Sequence, residues 1–228
     1  MTEPADESRR TPDGPEWSES HRLLALSEDG TVAVAMEVGI HHRPGSRWGS
    51  FHCAVFRDGL LPVVIAENDM PVPARLWEFR TSGLWVDNVC ERPRVHWSYG
   101  LEAFGLAIDD PQELLGRGYG DRVPLGWELD FESSPELYHD GRQVGRLDGE
   151  LLFAGGEQPI SGPAVRRHQW GPPTDPLVDP GVTAVTGSVS AGGDPLEVAL
   201  PTREAVWWVT RTGVGLDCRT GPLPEDQR

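Results

Sequence analysis

The chain has 228 residues, of which 38% are hydrophobic and nine are Trp, and its formal net charge is −16. This length and apolar content suffice for one substantial core or two small ones, whereas so acidic a surface repels phosphate backbones, and we expect no nucleic-acid partner. No apolar run reaches the roughly 18 residues of a membrane span, so none is predicted.

Both ends of the chain have the composition of disordered segments. Residues 1–16 are rich in Glu, Asp, Pro and Ser and lack the apolar core of a signal peptide, so they predict a disordered acidic leader on a cytoplasmic protein. Residues 221–228 predict a frayed tail. The three cysteines lie far apart and form no CxxC pair, which favours free thiols in a reducing compartment.

Between these ends the dominant period of the pattern is two. Residues 31–40 alternate between a strongly apolar face and a face of small or polar residues, as expected of a strand. Asp58-Gly59 is a hairpin signal between strands predicted over 48–57 and 61–67. Further strands are predicted over 85–90, 94–99, 102–108, 127–132, 146–153, 184–190, 196–200, 204–210 and 214–218.

Helix signals are few in this sequence. Residues 19–26 suggest two helical turns, residues 111–116 one turn, and residues 76–79 a helical connector. With 27 Gly and 21 Pro, long helices are not expected. Ten or more short strands predict an all-β barrel or sandwich, and the Pro-rich residues 172–181 predict a linker between two sheets or halves.

The segment from Gly162 to Gly171 reads Gly-Pro-Ala-Val-Arg-Arg-His-Gln-Trp-Gly. Because side chains alternate along a strand, His168 and Trp170 are expected on one face. Together with residues 138–150, the segment resembles the signature Gly-x-Gly-x-Arg-Asp-His-x-Trp-Gly of the lipocalin-like superfamily of carotenoid hydratases and related cyclases. This chain departs from it at two positions, with Ala164 in place of Gly and Arg167 in place of Asp.

The resemblance covers residues 138–171 and extends loosely over 17–108 through Trp17-Ser18-Glu19-Ser20. It implies a lipocalin-like antiparallel barrel or sandwich over residues 17–171, with residues 172–220 either completing the barrel or forming a reduced second half. Known members add water to carotenoids or assist cycloadditions in polyketide assembly. The expected function is a cofactor-independent cyclase, isomerase or hydratase acting on an apolar terpenoid or polyketide.

Two alternatives stay open beside this enzyme. One is a non-catalytic carrier or sensor of small apolar ligands, and the other is a barrel filled by its own Trp side chains. A ligand-binding calyx would use the faces of aromatic rings, which stabilise carbocations. Its candidate residues are Trp48, Trp85, Trp97, Tyr99, Trp127, Trp170 and Trp208. The oligomeric state is left open.

Three residues are candidates for the chemistry itself. His168 is the first, as an acid, a base or a donor to a carbonyl, although the motif also fits a structural lock in which His168 bonds a backbone carbonyl. Asp87 shares a face with Trp85, so its pKa is expected to be raised. Arg167 cannot donate a proton at neutral pH but can bind an anionic or carbonyl group; being out of phase with His168, it is expected to face solvent or an acidic neighbour.

A metal centre is not expected. His41 and His42 are adjacent on a predicted strand end, so their side chains point apart, and no third ligand is placed by spacing. No cofactor is predicted either.

Overall fold

Strands make up most of the chain, and the predicted all-β class is confirmed. The structure, a computed structural model, describes residues 7–73, 77–110, 113–115, 120–139, 141–172, 178–183, 195–212 and 215–223. The first eleven strands are β1 (Trp17–Leu26), β2 (Val32–Arg43), β3 (Ser46–Arg57), β4 (Val63–Met70), β5 (Trp77–Arg80), β6 (Leu84–Arg92), β7 (His96–Ala107), β8 (Asp121–Glu132), β9 (Tyr138–His139), β10 (Arg142–Phe153) and β11 (Gly156–Gly171). The last four are β12 (Val178–Thr183), β13 (Leu196–Pro201), β14 (Ala205–Arg211) and β15 (Gly215–Pro222).

The large sheet closes into a ring, which gives it a barrel-like form. Its strands follow the order β4-β3-β2-β1-β11-β10-β8-β7, and a short pairing of β4 with β7 through Val63 and Ala107 completes the circle. Strands β6 and β5 continue from β7 beyond this closure, and β9 pairs with β10. All of these pairings are antiparallel.

The inside of the ring is a packed core. The apolar face of β2 predicted from the sequence points inward and meets side chains from the opposite wall, such as Trp97 and Trp127 on β7 and β8. The members of this core on β2 are Val32, Val34, Met36, Val38 and Ile40, all buried. Alternation places every second residue of each ring strand in this core.

A second core lies outside the ring. Strands β12 to β15 form a separate sheet in the order β12-β15-β14-β13. Its side chains Val198, Trp207 and Leu216 pack with Leu24 and Ala35, which face outward from β1 and β2. Residues 172–220 therefore do not supply strands to the ring within the part that is described; they cover one outer wall of it.

This second sheet explains why one predicted helix is wrong. Residues 19–26 form strand β1, although Leu23-Leu24-Ala25-Leu26 has no alternation of apolar and polar residues. Both faces of β1 are buried, one inside the ring and one under the second sheet. A strand buried on both faces is apolar throughout, so its period disappears from the sequence.

Other boundaries differ in detail. The helical connector predicted over 76–79 is wrong, because Trp77–Arg80 is strand β5. The turn predicted over 111–116 contains a short 3-10 helix, Glu113–Leu115. The strands predicted over 94–99 and 102–108 are one strand, β7. The strand predicted over 184–190 lies outside the described residues. Of the linker predicted over 172–181, residues 173–177 also lie outside them, and residues 178–181 belong to β12.

The N-terminal segment packs against the ring where disorder was expected. Glu7 is buried, and the backbone N–H of Arg10 donates to Glu19 on β1. Residues 1–6 lie outside the described part. In the residues that the structure describes, no helix has the length and apolar character required to cross a membrane.

Candidate functional site

One end of the ring brings together a carboxylate, two imidazoles and two indoles. We call Glu19, His21, Trp77, Trp97 and His168 the Glu19 site. On strand β1, the side chains of Glu19 and His21 both point inward because the two residues are two positions apart. On β11, His168 lies directly opposite His21 in the antiparallel register. The two indoles approach from β5 and β7 on the other wall. The site is thus assembled from four strands of the large sheet.

Glu19 and His168 form a fully buried pair. The His168 Nε2 atom lies 2.8 Å from a Glu19 carboxylate oxygen, and both side chains have no exposed surface. The carboxylate also accepts the backbone N–H of Arg10 at 3.0 Å on each oxygen. An acceptor at Nε2 holds the proton on that nitrogen, so the Nδ1 lone pair is the one available for chemistry. Nδ1 is buried and has no hydrogen-bond partner among the described groups.

His21 connects this pair to the aromatic wall. Its ring stacks on His168 with a centroid distance of 4.0 Å, and it lies 4.4 Å from Trp77 and 4.8 Å from Trp97. Burial, followed by the charges of His168 and Arg166, holds the pKa of His21 well below its usual range. His21 is therefore neutral at physiological pH. Its Nε2 and the indole nitrogens of Trp77 and Trp97 are also buried without partners in the described structure.

An open pocket of about 680 Å³ reaches the Glu19 site from outside. It is lined by Arg10, Arg94, Tyr138, Gly141, His168, Gln169 and Trp170. Trp170 is 42% exposed and lies 4.9 Å from His168, which confirms that the two rings share a face. The Arg10 guanidinium covers the Trp170 ring at 4.3 Å. The pocket therefore has aromatic and cationic walls and borders His168, whose imidazole is itself buried.

A buried ion pair braces this end of the ring. Arg166 extends inward from β11, in phase with His168, and pairs with Glu7. Gln143 accepts from Arg166 Nε at 2.9 Å and donates to the Arg94 carbonyl at 2.7 Å. Arg94 has φ +56°, a strained conformation for a residue with a side chain. The N-terminal segment and the β6–β7 turn are thus tied to the same end of the ring as His168.

The predicted ligand-binding residues fall into three groups. Trp97, Tyr99 and Trp127 lie in the ring, but each is at most 2% exposed and packed in the inner core. Trp170 lines the pocket at the mouth. The other three indoles lie elsewhere, and arginines cover their rings. Arg43 and Arg203 lie over Trp48, Arg80 lies over Trp85, and Arg219 lies over Trp208.

Two predicted catalytic residues are not brought to His168. Asp87 alternates with the inward Val86 and Asn88 on β6, so it faces outward opposite Glu78. Burial and the Glu78 charge do raise the pKa of Asp87, but away from the pocket. Arg167 also faces outward, between Arg22 and Arg142 on the neighbouring strands, and no acidic partner is found for it among the described residues.

Most members of the Glu19 site are not among the site residues predicted from the sequence. Glu19 enters there only through the resemblance of Trp17-Ser18-Glu19-Ser20, and the helix predicted over 19–26 conceals that Glu19 and His21 share a face. Trp77 lay in the predicted helical connector. The usable signal was the alternation Glu19, His21, Leu23, which is the inward face of β1.

We expect the free energy of unfolding to decrease as the pH falls below about 6.5, the usual pKa of histidine. Because the pKa of folded His21 is far lower, the unfolded chain then binds a proton at this residue and the folded chain does not. Above that pH, the titration of His21 does not change the free energy of unfolding. Below it, the titration lowers the free energy of unfolding by up to about 1.4 kcal/mol per pH unit. Urea unfolding followed by Trp fluorescence at about pH 7.5 and about pH 5 measures the difference.

The matched variant is His21→Phe, which keeps a ring between the two indoles and has no group to titrate. Its stability should decrease less between the two pH values than that of the original chain. Equal decreases in both proteins would show that His21 titrates alike in the folded and unfolded states.

Among the described residues, no group of three or more His, Cys, Asp and Glu side chains is arranged to hold a metal ion. Glu19 and His168 form a buried carboxylate–imidazole pair. In comparisons with known proteins, no family model, no curated protein and no solved structure matches this chain.

Proposed function

We propose that the chain is a cofactor-independent enzyme of the cyclase, isomerase or hydratase type that acts on a small apolar molecule such as a terpenoid or polyketide. His168 is its acid–base residue, and Glu19 is the positioning residue. The observation that carries the proposal is the buried His168 ring, with Nε2 held by Glu19 and Nδ1 without a partner among the described groups, in a residue that borders the Trp170 pocket.

The chemistry follows from the two nitrogens of His168. Nδ1 takes a proton from a substrate carbon while the Glu19 carboxylate, 2.8 Å from Nε2, stabilises the imidazolium that forms. The same Nδ1 returns the proton to another atom of the substrate, so an isomerisation or cyclisation leaves the enzyme unchanged. In a hydration, Nδ1 takes a proton from one water molecule as the water oxygen bonds to one carbon of a substrate double bond, and it then gives that proton to the other carbon.

The pocket combines cationic and aromatic walls, from Arg10 and Arg94 and from Tyr138 and Trp170. The pocket volume of about 680 Å³ falls within the range of small-molecule sites. Trp170 is 42% exposed beside His168, and the Arg10 guanidinium over its ring places a positive charge where negative charge on a deprotonated substrate would develop. Because Trp97 and Trp127 are packed in the core, we place the substrate at the mouth of the ring and not in its middle.

Conversion assays on mixtures of terpenoids and polyketides extracted from cells that make the protein test the proposal. Mass spectrometry reveals products of unchanged mass or products that have gained one water. We expect His168→Gln to reduce turnover by about 100-fold or more, the usual contribution of a positioned acid–base group. Glu19→Gln should give a smaller reduction, because Nδ1 is retained and only its orientation and charge stabilisation are lost.

His96→Gln is the matched control. His96 forms a pair with Asp130 at the same 2.8 Å distance, but on the outer surface with side chains 29% and 59% exposed. Its turnover should equal that of the original chain. Full turnover in a folded His168→Gln protein would contradict the proposal, and a ligand bound but returned unchanged by the original chain would favour a carrier.

A further inference from the structure

A second pocket lies at the opposite end of the ring. It has a volume of about 560 Å³ and is formed where the β3–β4 and β10–β11 connections meet. Nine residues of β11 separate its Pro159 from His168, which at about 3.3 Å per residue is roughly 30 Å. The two pockets are therefore separate sites.

The walls of this second pocket are apolar. Leu60 and Leu61 line it and are 55% and 49% exposed, although large aliphatic side chains are usually buried. Val123 and Phe153 form its floor and pack on the inner core. An apolar chain in this pocket would cover the two leucines and continue the core outward.

Arg57 is the cation of this pocket, and no counter-ion is found for it among the described residues. Its guanidinium lies 3.7 Å from the centroid of the Phe153 ring, and its Nε is buried without a hydrogen-bond partner in the described structure. Burial lowers its pKa, and no neighbouring carboxylate opposes that shift. Arg57 is thus a partly buried guanidinium without an ion pair among the described residues.

Glu157 is the other charged residue that lines the pocket, and it does not pair with Arg57. It is exposed at the start of β11. An anion that paired with Arg57 would therefore have to come from outside the described part of the chain. A guanidinium matches a carboxylate through two parallel hydrogen bonds.

We propose that this pocket binds an unbranched apolar molecule that ends in a carboxylate, a medium-chain fatty acid in chemical class. The carboxylate lies on Arg57, and the hydrocarbon chain lies on Leu60, Leu61 and Phe153. This site is independent of the chemistry proposed for His168, so either proposal can fail without the other.

Isothermal titration calorimetry with decanoate and with decan-1-ol tests the site. The two probes share the chain and differ in the head group. We expect decanoate to bind one to one and about tenfold more tightly than the alcohol. Arg57→Met should remove that tenfold advantage and leave the affinity for decan-1-ol unchanged, since the apolar walls stay intact.

Arg122→Met is the matched control, because Arg122 also covers a phenyl ring, that of Phe104 at 4.2 Å, but lines a different surface. It should bind decanoate like the original chain. Contacts measured by NMR between the decanoate chain and the methyl groups of Leu60 and Leu61 locate the ligand. Equal affinities for the acid and the alcohol, an unchanged decanoate affinity in Arg57→Met, or contacts confined to the Trp170 pocket would each overturn the proposal.

Discussion

Replacing Glu7 by alanine should lower the free energy of unfolding by about 3 kcal/mol, because it leaves Arg166 charged and buried without its partner. The two side chains are 2% and 1% exposed, so water cannot replace the lost carboxylate while the N-terminal segment stays in place. The position is seven residues from the start of the chain, where most substitutions have little effect. Urea unfolding followed by Trp fluorescence measures the change.

Two further variants separate the buried charge from the loss of a side chain. Glu7→Ala combined with Arg166→Met should be more stable than Glu7→Ala alone, since no unpaired charge remains. Glu28→Gln removes one carboxylate from the exposed pair with Arg146, whose side chains are 53% and 50% exposed, and should cause no measurable change. If Glu7→Ala behaves like Glu28→Gln, residue 7 does not pack against Arg166 in solution.

Gly141→Ala should destabilise the chain by about 3 kcal/mol or more, because it combines an unfavourable backbone conformation with a collision. Gly141 has φ +78°, and a Cβ atom at this position would lie 2.1 Å from the carbonyl oxygen of His168. The Gly141 carbonyl also accepts the His168 N–H at 2.7 Å. To remove the collision, the β11 backbone at His168 must shift. We therefore expect the affinity of the Trp170 pocket for its ligands to fall together with the free energy of unfolding.

Gly45→Ala is the control for the backbone term alone. Gly45 has φ +76°, almost the same as Gly141, but a Cβ atom added there would have no other atom within 4 Å. We expect a loss of roughly 1–2 kcal/mol, the cost of a left-handed conformation with a side chain. Equal losses in the two alanine variants, measured by the same unfolding experiment, would show that the close approach of Gly141 to His168 has no energetic weight.

Local patterns predicted the strands whose two faces differ in side-chain size or polarity, such as β2, whose outward Ala33 and Ala35 are small although the second sheet buries them. The alternation over 31–40 corresponds to β2, and the turn at Asp58-Gly59 joins β3 to β4. Strand β1 was not predicted because large apolar side chains lie on both of its covered faces, with Leu23 on one and Leu24 and Leu26 on the other. The same covering explains Trp48, which looked like a calyx residue but lies on the outer side of β3 beside Arg203 from the second sheet.

For the candidate site too, some features were predictable from local sequence and others depended on strand pairing. The phase of β11 is a local property, so the shared face of His168 and Trp170 was predictable and is confirmed. The partner of His168 was not, because Glu19 is 149 residues away and reaches it only through the β1–β11 pairing. The expected Asp before His168 is replaced by Arg167 in this chain, and a carboxylate from another strand lies against the imidazole.

The sequence by itself determined the all-β class, the turn at Asp58-Gly59 and, for strands with two unlike faces such as β2 and β11, the face on which a residue lies, because these follow from a period of two and from turn residues that act over a few positions. Tertiary structure decided which strands became neighbours, which outer face the second sheet covered, and which charges were left together in the interior. Those outcomes depend on the register between distant strands and on the competition of all apolar faces for burial. The pair of Glu19 and His168 belongs to this second category, and so does Arg57 above the ring of Phe153.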